Sequence, residues 1–126
     1  MKIFGVGTDI IEVKRIKTVI MNNSGFLGRV YTENEIKYCN KKNKGKYQSF
    51  AARFAAKEAV AKSLAEGVSS NVSLNEIELI NIETGAPIIN LCGKTHKFSK
   101  KLKIKEIKIS VSATDKFAVA YAVAII

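Results

Sequence analysis

Apolar residues fall along this chain in two rhythms. In the first half they recur every three or four positions, the spacing of one helical face. Val13, Ile16 and Ile20 keep that spacing and predict a helix closing near Met21, before a break at 22–25. Phe50, Phe54, Ala61 and Leu64 share one stripe of a longer helix predicted over 47–65, with Gly67 as its C-terminal stop. In the second half the period is two. Ile107, Ile109 and Val111 alternate, and after a turn at 113–116 so do Phe117, Val119, Tyr121, Val123 and Ile125. Alanines fill the other face of that last segment, which reads as a strand buried on both sides.

Shorter signals complete the order of elements. Ile3 to Val6 reads as a strand ending at Gly7. Asp9 stands three residues before Glu12, as an N-cap and its reciprocal acid would, and Thr32 with Glu35 repeats the pattern before a helix towards Asn40. Leu74 to Ile82 reads as a strand, 84–87 as a turn in which Gly85 takes positive φ, and Ile88 to Leu91 as the return strand. Lys94 to Leu102 reads as a short basic helix. Helices therefore lead and antiparallel strands follow. The fold class predicted is α+β, with helices packed on one face of a mainly antiparallel sheet, in one domain over 1–126.

Charge narrows the partners. Against 21 Lys and Arg the 126 residues carry only 11 Asp and Glu, a net charge of +10. Such a chain is drawn to nucleic acid, anionic lipid, a phosphorylated ligand or an acidic protein. Lysine fills four of the six positions 41–46, a basic loop. Nucleic acid is disfavoured because aromatic residues are not interleaved with the lysines as stacking surfaces. A membrane partner is not expected either: the longest apolar run, Phe117 to Ile126, is ten residues, against about 20 for a spanning helix. The opening Met1 to Asp9 is too short and too soon charged for a signal peptide, so a cytoplasmic protein is expected. Cys39 and Cys92 lack metal-ligand spacing and read as two reduced thiols.

Candidate chemistry is sparse. The one histidine, His96, sits in a Lys-rich segment without an obvious partner, and Gly5-Val6-Gly7 is too short for a nucleotide fingerprint. With few acids, their placement carries information. Glu58 lies inside an Ala-rich helix and shares a face with Lys62, four residues on. Ala51 and Ala55 lie on that side, small enough for a ligand or another backbone to come close. Spacing alone leaves two readings open, a site joining Asp9 to Glu58, or a helix-capping Asp and an ordinary Glu–Lys surface pair.

Three segments tip the balance by resemblance. Gly5-Val6-Gly7-Thr8-Asp9-Ile10 followed by Glu12-Val13-Lys14-Arg15-Ile16, then Phe50-Ala51-Ala52-Arg53-Phe54-Ala55-Ala56-Lys57-Glu58-Ala59 continuing to Lys62, and finally Ile109-Ser110-Val111-Ser112 with Thr114, are together similar to the holo-[acyl-carrier-protein] synthase family of 4′-phosphopantetheinyl transferases. The match is collinear over essentially the whole chain. The resemblance implies a homotrimer with active sites between adjacent subunits, and transfer of phosphopantetheine from coenzyme A to a serine of apo acyl carrier protein in support of fatty acid biosynthesis. The products would be holo carrier protein and adenosine 3′,5′-bisphosphate. It further implies Mg2+ held by Asp9 and Glu58, with Lys62 as a third catalytic residue on a phosphate. Arg53, Lys46, Gly67, Pro87, Ser112 and Thr114 would meet coenzyme A, with the basic loop at 44–46 near its 3′-phosphate. Lys14, Arg15 and Arg29 would face the acidic carrier protein.

Two departures stand out. The family's usual His between the last Ser and Thr is Ala113 here, and two glycines flanking Thr after Lys62 are reduced to Ala65-Glu66-Gly67. A catalytically impaired coenzyme A binder and a basic nucleic-acid-binding module are the alternatives.

Overall fold

The computed structural model describes residues 1–81 and 84–126. Its order is β1 (Ile3–Glu12), α1 (Val13–Asn22), α2 (Phe26–Val30), α3 (Glu33–Asn40), α4 (Lys46–Ser63), β2 (Ile77–Asn81), β3 (Pro87–Leu91), α5 (Gly93–Lys101), β4 (Glu106–Ala113) and β5 (Phe117–Ile125). Three strands form one antiparallel sheet in the order β1-β5-β4, and β2 and β3 form a separate hairpin. The architecture is α+β, as the two rhythms predict.

What places the site is the contact of α4 with the inner face of the larger sheet. Strand alternation sends Gly5, Gly7, Asp9 and Ile11 inward, opposite the alanines of β5 in the register Gly7↔Ala122, Asp9↔Ala120 and Ile11↔Ala118. From α4, Ala51, Ala55 and Ala59 meet this surface fully buried. Small residues on both sides bring backbone onto backbone. A Cβ on Gly7 would collide with the Ala59 carbonyl oxygen and crowd Lys62 Cβ at 2.9 Å. The alanine stripe thus admits the sheet, and not a ligand. Gly7→Ala is expected to destabilise the protein by about 1–3 kcal/mol, read from urea unfolding, because neither backbone has room to yield.

Several expectations change here. β1 does not end at Val6 but runs to Glu12, and Asp9 is a mid-strand residue. The local capping pattern loses to a ladder with β5 that carries the chain from Gly5 to Glu12. Glu12 itself occupies the N-cap of α1 without a side-chain capping bond. The 74–82 strand is shorter than expected, since Leu74–Glu76 form a 3₁₀ turn before β2, and Ile82 lies outside the described residues. α4 stops at Ser63; Ala65 and Gly67 both take φ of +68°, and the Gly67 N–H closes the end by donating to Ala61 O at 3.0 Å. The last strand is buried along its alanine face, while on the other face Phe117, Val119 and Tyr121 are exposed and only its end, at Ile125, is buried. The short helix α2 was not signalled by periodicity.

Other local signals appear as read. Glu35 N–H donates to Thr32 Oγ1 at 3.2 Å and Thr32 N–H to Glu35 Oε1 at 3.0 Å, a complete capping box. Gly85 takes φ of +84° in the hairpin turn. Both cysteines are free, Cys39 buried and Cys92 exposed, and His96 is exposed. No described helix is long and apolar enough to cross a membrane.

Candidate active site

Asp9 reaches the site because it follows the two glycines in the inward set of β1. Glu58 meets it from α4, half-buried. Both line one cleft of about 360 Å³ between β1, α1, α2 and α4, together with Arg15 and an apolar wall that includes Ile16, Phe26 and Phe54. Burial pushes the Glu58 carboxyl up, the negative charge of Asp9 pushes it further, and Lys62 partly opposes both. The Lys62 ammonium donates to Thr8 O at 3.0 Å and to Asp9 Oδ1 at 3.3 Å. The two distant carboxylates are therefore joined in one place, with their mutual repulsion uncancelled.

That donor set suits a hard divalent cation. Asp9 and Glu58 offer only oxygen, and a cation between them would relieve the repulsion that raises Glu58. No group of three or more His, Cys, Asp or Glu occurs among the described residues. Two carboxylates fit an ion that fills its remaining positions with water and substrate phosphate, as Mg2+ does.

A second cavity, of about 380 Å³, lies at the N-terminal end of α4. Lys42, Lys44 and Arg53 line it, with no carboxylate among the described lining residues. Three cations with no carboxylate partner among the described residues favour a ligand with several negative charges. Arg53 is only 5% exposed. Its Nη1 donates to Ser49 Oγ at 3.2 Å, its Nη2 donates to Asn81 Oδ1 at 2.8 Å, and its guanidinium lies 4.2 Å from the centroid of Tyr38. Its Nε is buried without a partner.

The expected coenzyme A residues divide. Arg53, Pro87 and Ser112 line this cavity, and so does Ala113. Lys46 faces a neighbouring cleft beside Tyr47, its ammonium 5.4 Å from that ring, so Lys42 and Lys44 are the lysines that the basic loop contributes to the cavity. Thr114 Oγ1 accepts from the Lys116 and Phe117 N–H groups, which occupies it inside the β4–β5 turn. Gly67 lies beyond the far end of α4 and is absent from the walls of both cavities. Tyr38, Lys42, Gln48 and Asn81 were not singled out from sequence. Only Lys42 carried a signal, as part of the basic loop. Lys14, Arg15 and Arg29 are exposed on α1 and α2, and none pairs with a described carboxylate. Arg29 Nη2 instead donates to Asn23 Oδ1 at 3.4 Å.

A close helix-on-sheet contact, with an acidic pair on one side of α4 and a cationic cavity on another, defines a recognisable class. The sequence model of the 4′-phosphopantetheinyl transferase superfamily matches residues 5–122. The holo-[acyl-carrier-protein] synthase of Ruminiclostridium cellulolyticum is 48% identical over 119 residues, covering 94% of this chain and 89% of that protein. That of Clostridium tetani is 44% identical over 121 residues, covering 96% and 94%. The crystal structure of the enzyme from Neisseria meningitidis superposes with a TM-score of 0.90 at 30% identity, over 99% of this chain and 100% of that one. The Bacillus anthracis structure, in complex with CoA (3′,5′-ADP), gives 0.81 at 33% identity, over 97% and 96%. The chain belongs to the holo-[acyl-carrier-protein] synthase family.

Proposed function

We propose that this protein transfers the 4′-phosphopantetheine group of coenzyme A to a serine of apo acyl carrier protein, in the cytoplasm and in support of fatty acid biosynthesis. The observation that carries the reading is the meeting of Asp9 and Glu58 at one cleft, with Lys62 bonded to Asp9, although β1 and α4 lie far apart in sequence. The serine oxygen forms a bond to the phosphorus that bears the pantetheine arm, and the bond from that phosphorus to the bridging oxygen breaks. Adenosine 3′,5′-bisphosphate leaves with the bridging oxygen. When bound at Asp9 and Glu58, Mg2+ supplies charge neutralisation for the diphosphate. Lys62 contributes a compact positive charge to a phosphate oxygen. The serine proton would pass to Glu58 or to a water beside it in the same cleft. Arg53, Lys44 and Lys42 hold the nucleotide end.

The same reading makes the active enzyme a homotrimer with shared sites. Two observations support it. Arg53 and Glu58 lie five residues apart on α4, pointing about 140° apart around the axis by the 3.6-residue repeat. And the outer face of the larger sheet exposes Val6, Ile10, Phe117, Val119 and Tyr121, each 39–65% accessible, as one apolar patch. Light scattering that returned a single 13.8 kDa chain would overturn the trimer.

Docking of the carrier is assigned to Arg15, Lys14 and Arg29, of which Arg15 also lines the Asp9–Glu58 cleft. Arg15→Glu is expected to raise the KM for carrier protein about tenfold or more, and that for coenzyme A far less. Equal effects on the two would remove Arg15 from the docking surface. Ala113 in the wall of the cationic cavity favours one second reading, a coenzyme A binder that does not transfer. Intact-mass measurement of apo carrier protein after incubation with the protein, Mg2+ and coenzyme A separates them: a gain of one phosphopantetheine supports transfer, and coenzyme A binding without gain supports the binder.

A further inference from the structure

Lys62 is already engaged in this structure. Its ammonium is held by the Thr8 carbonyl oxygen at 3.0 Å and by Asp9 Oδ1 at 3.3 Å. Among the described residues it is the one cation in salt-bridge contact with either carboxylate of the pair. The side chain is fixed at its base and half-exposed, its ammonium held only by these two contacts. Its Cβ sits over Gly7, where backbone contact fixes α4, while the side chain as a whole is 48% exposed against 18% for Asp9. A flexible four-carbon stem with an exposed ammonium can swing without moving the helix.

We propose that Lys62 is the resident counter-ion of the Asp9–Glu58 pair and yields its place on Asp9 to an incoming divalent cation, so that metal entry releases the ammonium towards the coenzyme A diphosphate. The proposal rests on the reading of Asp9 and Glu58 as metal ligands. An ammonium and a divalent cation repel each other strongly at the separation that shared contact with one carboxylate would impose. Metal alone must displace the ammonium, and is held weakly. Coenzyme A changes this balance, because its phosphates give Lys62 a new partner and the metal further oxygen ligands. Metal and coenzyme A then each tighten the binding of the other by the same factor, as linkage requires.

The test is the affinity of the full-length protein for Mn2+, followed by the electron paramagnetic resonance signal of the free ion, with and without coenzyme A. Lys62→Met keeps the stem and removes the charge, and Lys62→Ala serves as a second variant, both checked for folding by circular dichroism. In the absence of coenzyme A, both variants are expected to bind Mn2+ about three- to tenfold more tightly than the unaltered protein, the range expected for losing one competing, partly exposed ion pair. The extra tightening that coenzyme A brings should also be smaller in the variants. Folded variants that bind Mn2+ equally or more weakly would overturn the exchange while leaving the metal site standing. An unaltered protein with no saturable Mn2+ site, with coenzyme A or without it, would overturn the metal-ligand reading as well.

Discussion

Glu58→Gln is expected to lower carrier-protein modification by about a thousandfold or more with the fold intact. The change keeps the size and one oxygen of the side chain but removes its charge, and with it one of the two carboxylates that line the cleft among the described residues. Loss of a ligand to the ion that offsets the diphosphate charge falls on the transition state, so kcat should drop far more than KM rises. Structure should not suffer. Glu58 makes no salt bridge among the described residues, and its carboxyl is raised by burial and by Asp9. A carboxyl raised in the folded state favours folding while protonated, and that advantage is lost as pH rises through its raised value. At neutral pH the metal-free native carboxylate is therefore a cost that glutamine does not carry. Metal-free Glu58→Gln should melt no lower than the unaltered protein at pH 7, with any gap closing as pH falls. A variant that is inactive because it is unfolded would instead melt lower.

The largest stability effect should come from Glu35→Ala, at about 3–5 kcal/mol in urea unfolding, out of a total in the range of about 5–15 kcal/mol. Lys57 and Glu35 are 0% and 1% exposed and paired at 2.6 Å. The Lys57 ammonium also donates to the carbonyl oxygens of Leu74 and Ile77, and Glu35 Oε2 accepts the Leu79 N–H at 3.0 Å. Burial pushes the Lys57 ammonium towards its neutral form, and Glu35 is the chief group holding it charged. Removing Glu35 leaves a buried cation held by the Leu74 and Ile77 carbonyls and by the weaker pull of Glu78. A Lys57→Met, Glu35→Leu double variant should recover much of the loss, since the charges would be gone together. The consequence reaches the cationic cavity, because this network seats β2 on α4 and β2 carries Asn81, which orients Arg53.

Which of these residues could be read beforehand follows from how far each one's determinants lie along the chain. Thr32 with Glu35, the turn at Gly85 and the alternation of β4 and β5 are local and were legible. Asp9 was not, as to its setting: the Asp-x-x-Glu spacing says helix cap, and only a strand more than a hundred residues away, pairing Asp9 with Ala120, makes it part of a sheet. Hydropathy also hid the true surroundings of α4. It is covered by the sheet on one side and by α3 and β2 on the other, so Arg53 and Lys57 are buried although their side chains are charged. The exposed half of β5 was misjudged for the reverse reason. Large apolar residues at period two show that a face avoids water, but not whether this chain or a neighbouring copy covers it. The resemblance supplied the chemistry that spacing left open, and the fold supplied residues such as Asn81 and Lys42, which no motif marks.

The measurement that bears most directly on the central claim is the metal dependence of carrier modification. Protein stripped with a chelator, then titrated with Mg2+ in the presence of coenzyme A and apo carrier protein, should show no mass gain on the carrier until Mg2+ is restored. The gain should then saturate with Mg2+ for the unaltered protein and stay absent for Glu58→Gln. Full modification in the stripped protein, or an undiminished response in Glu58→Gln, would contradict it.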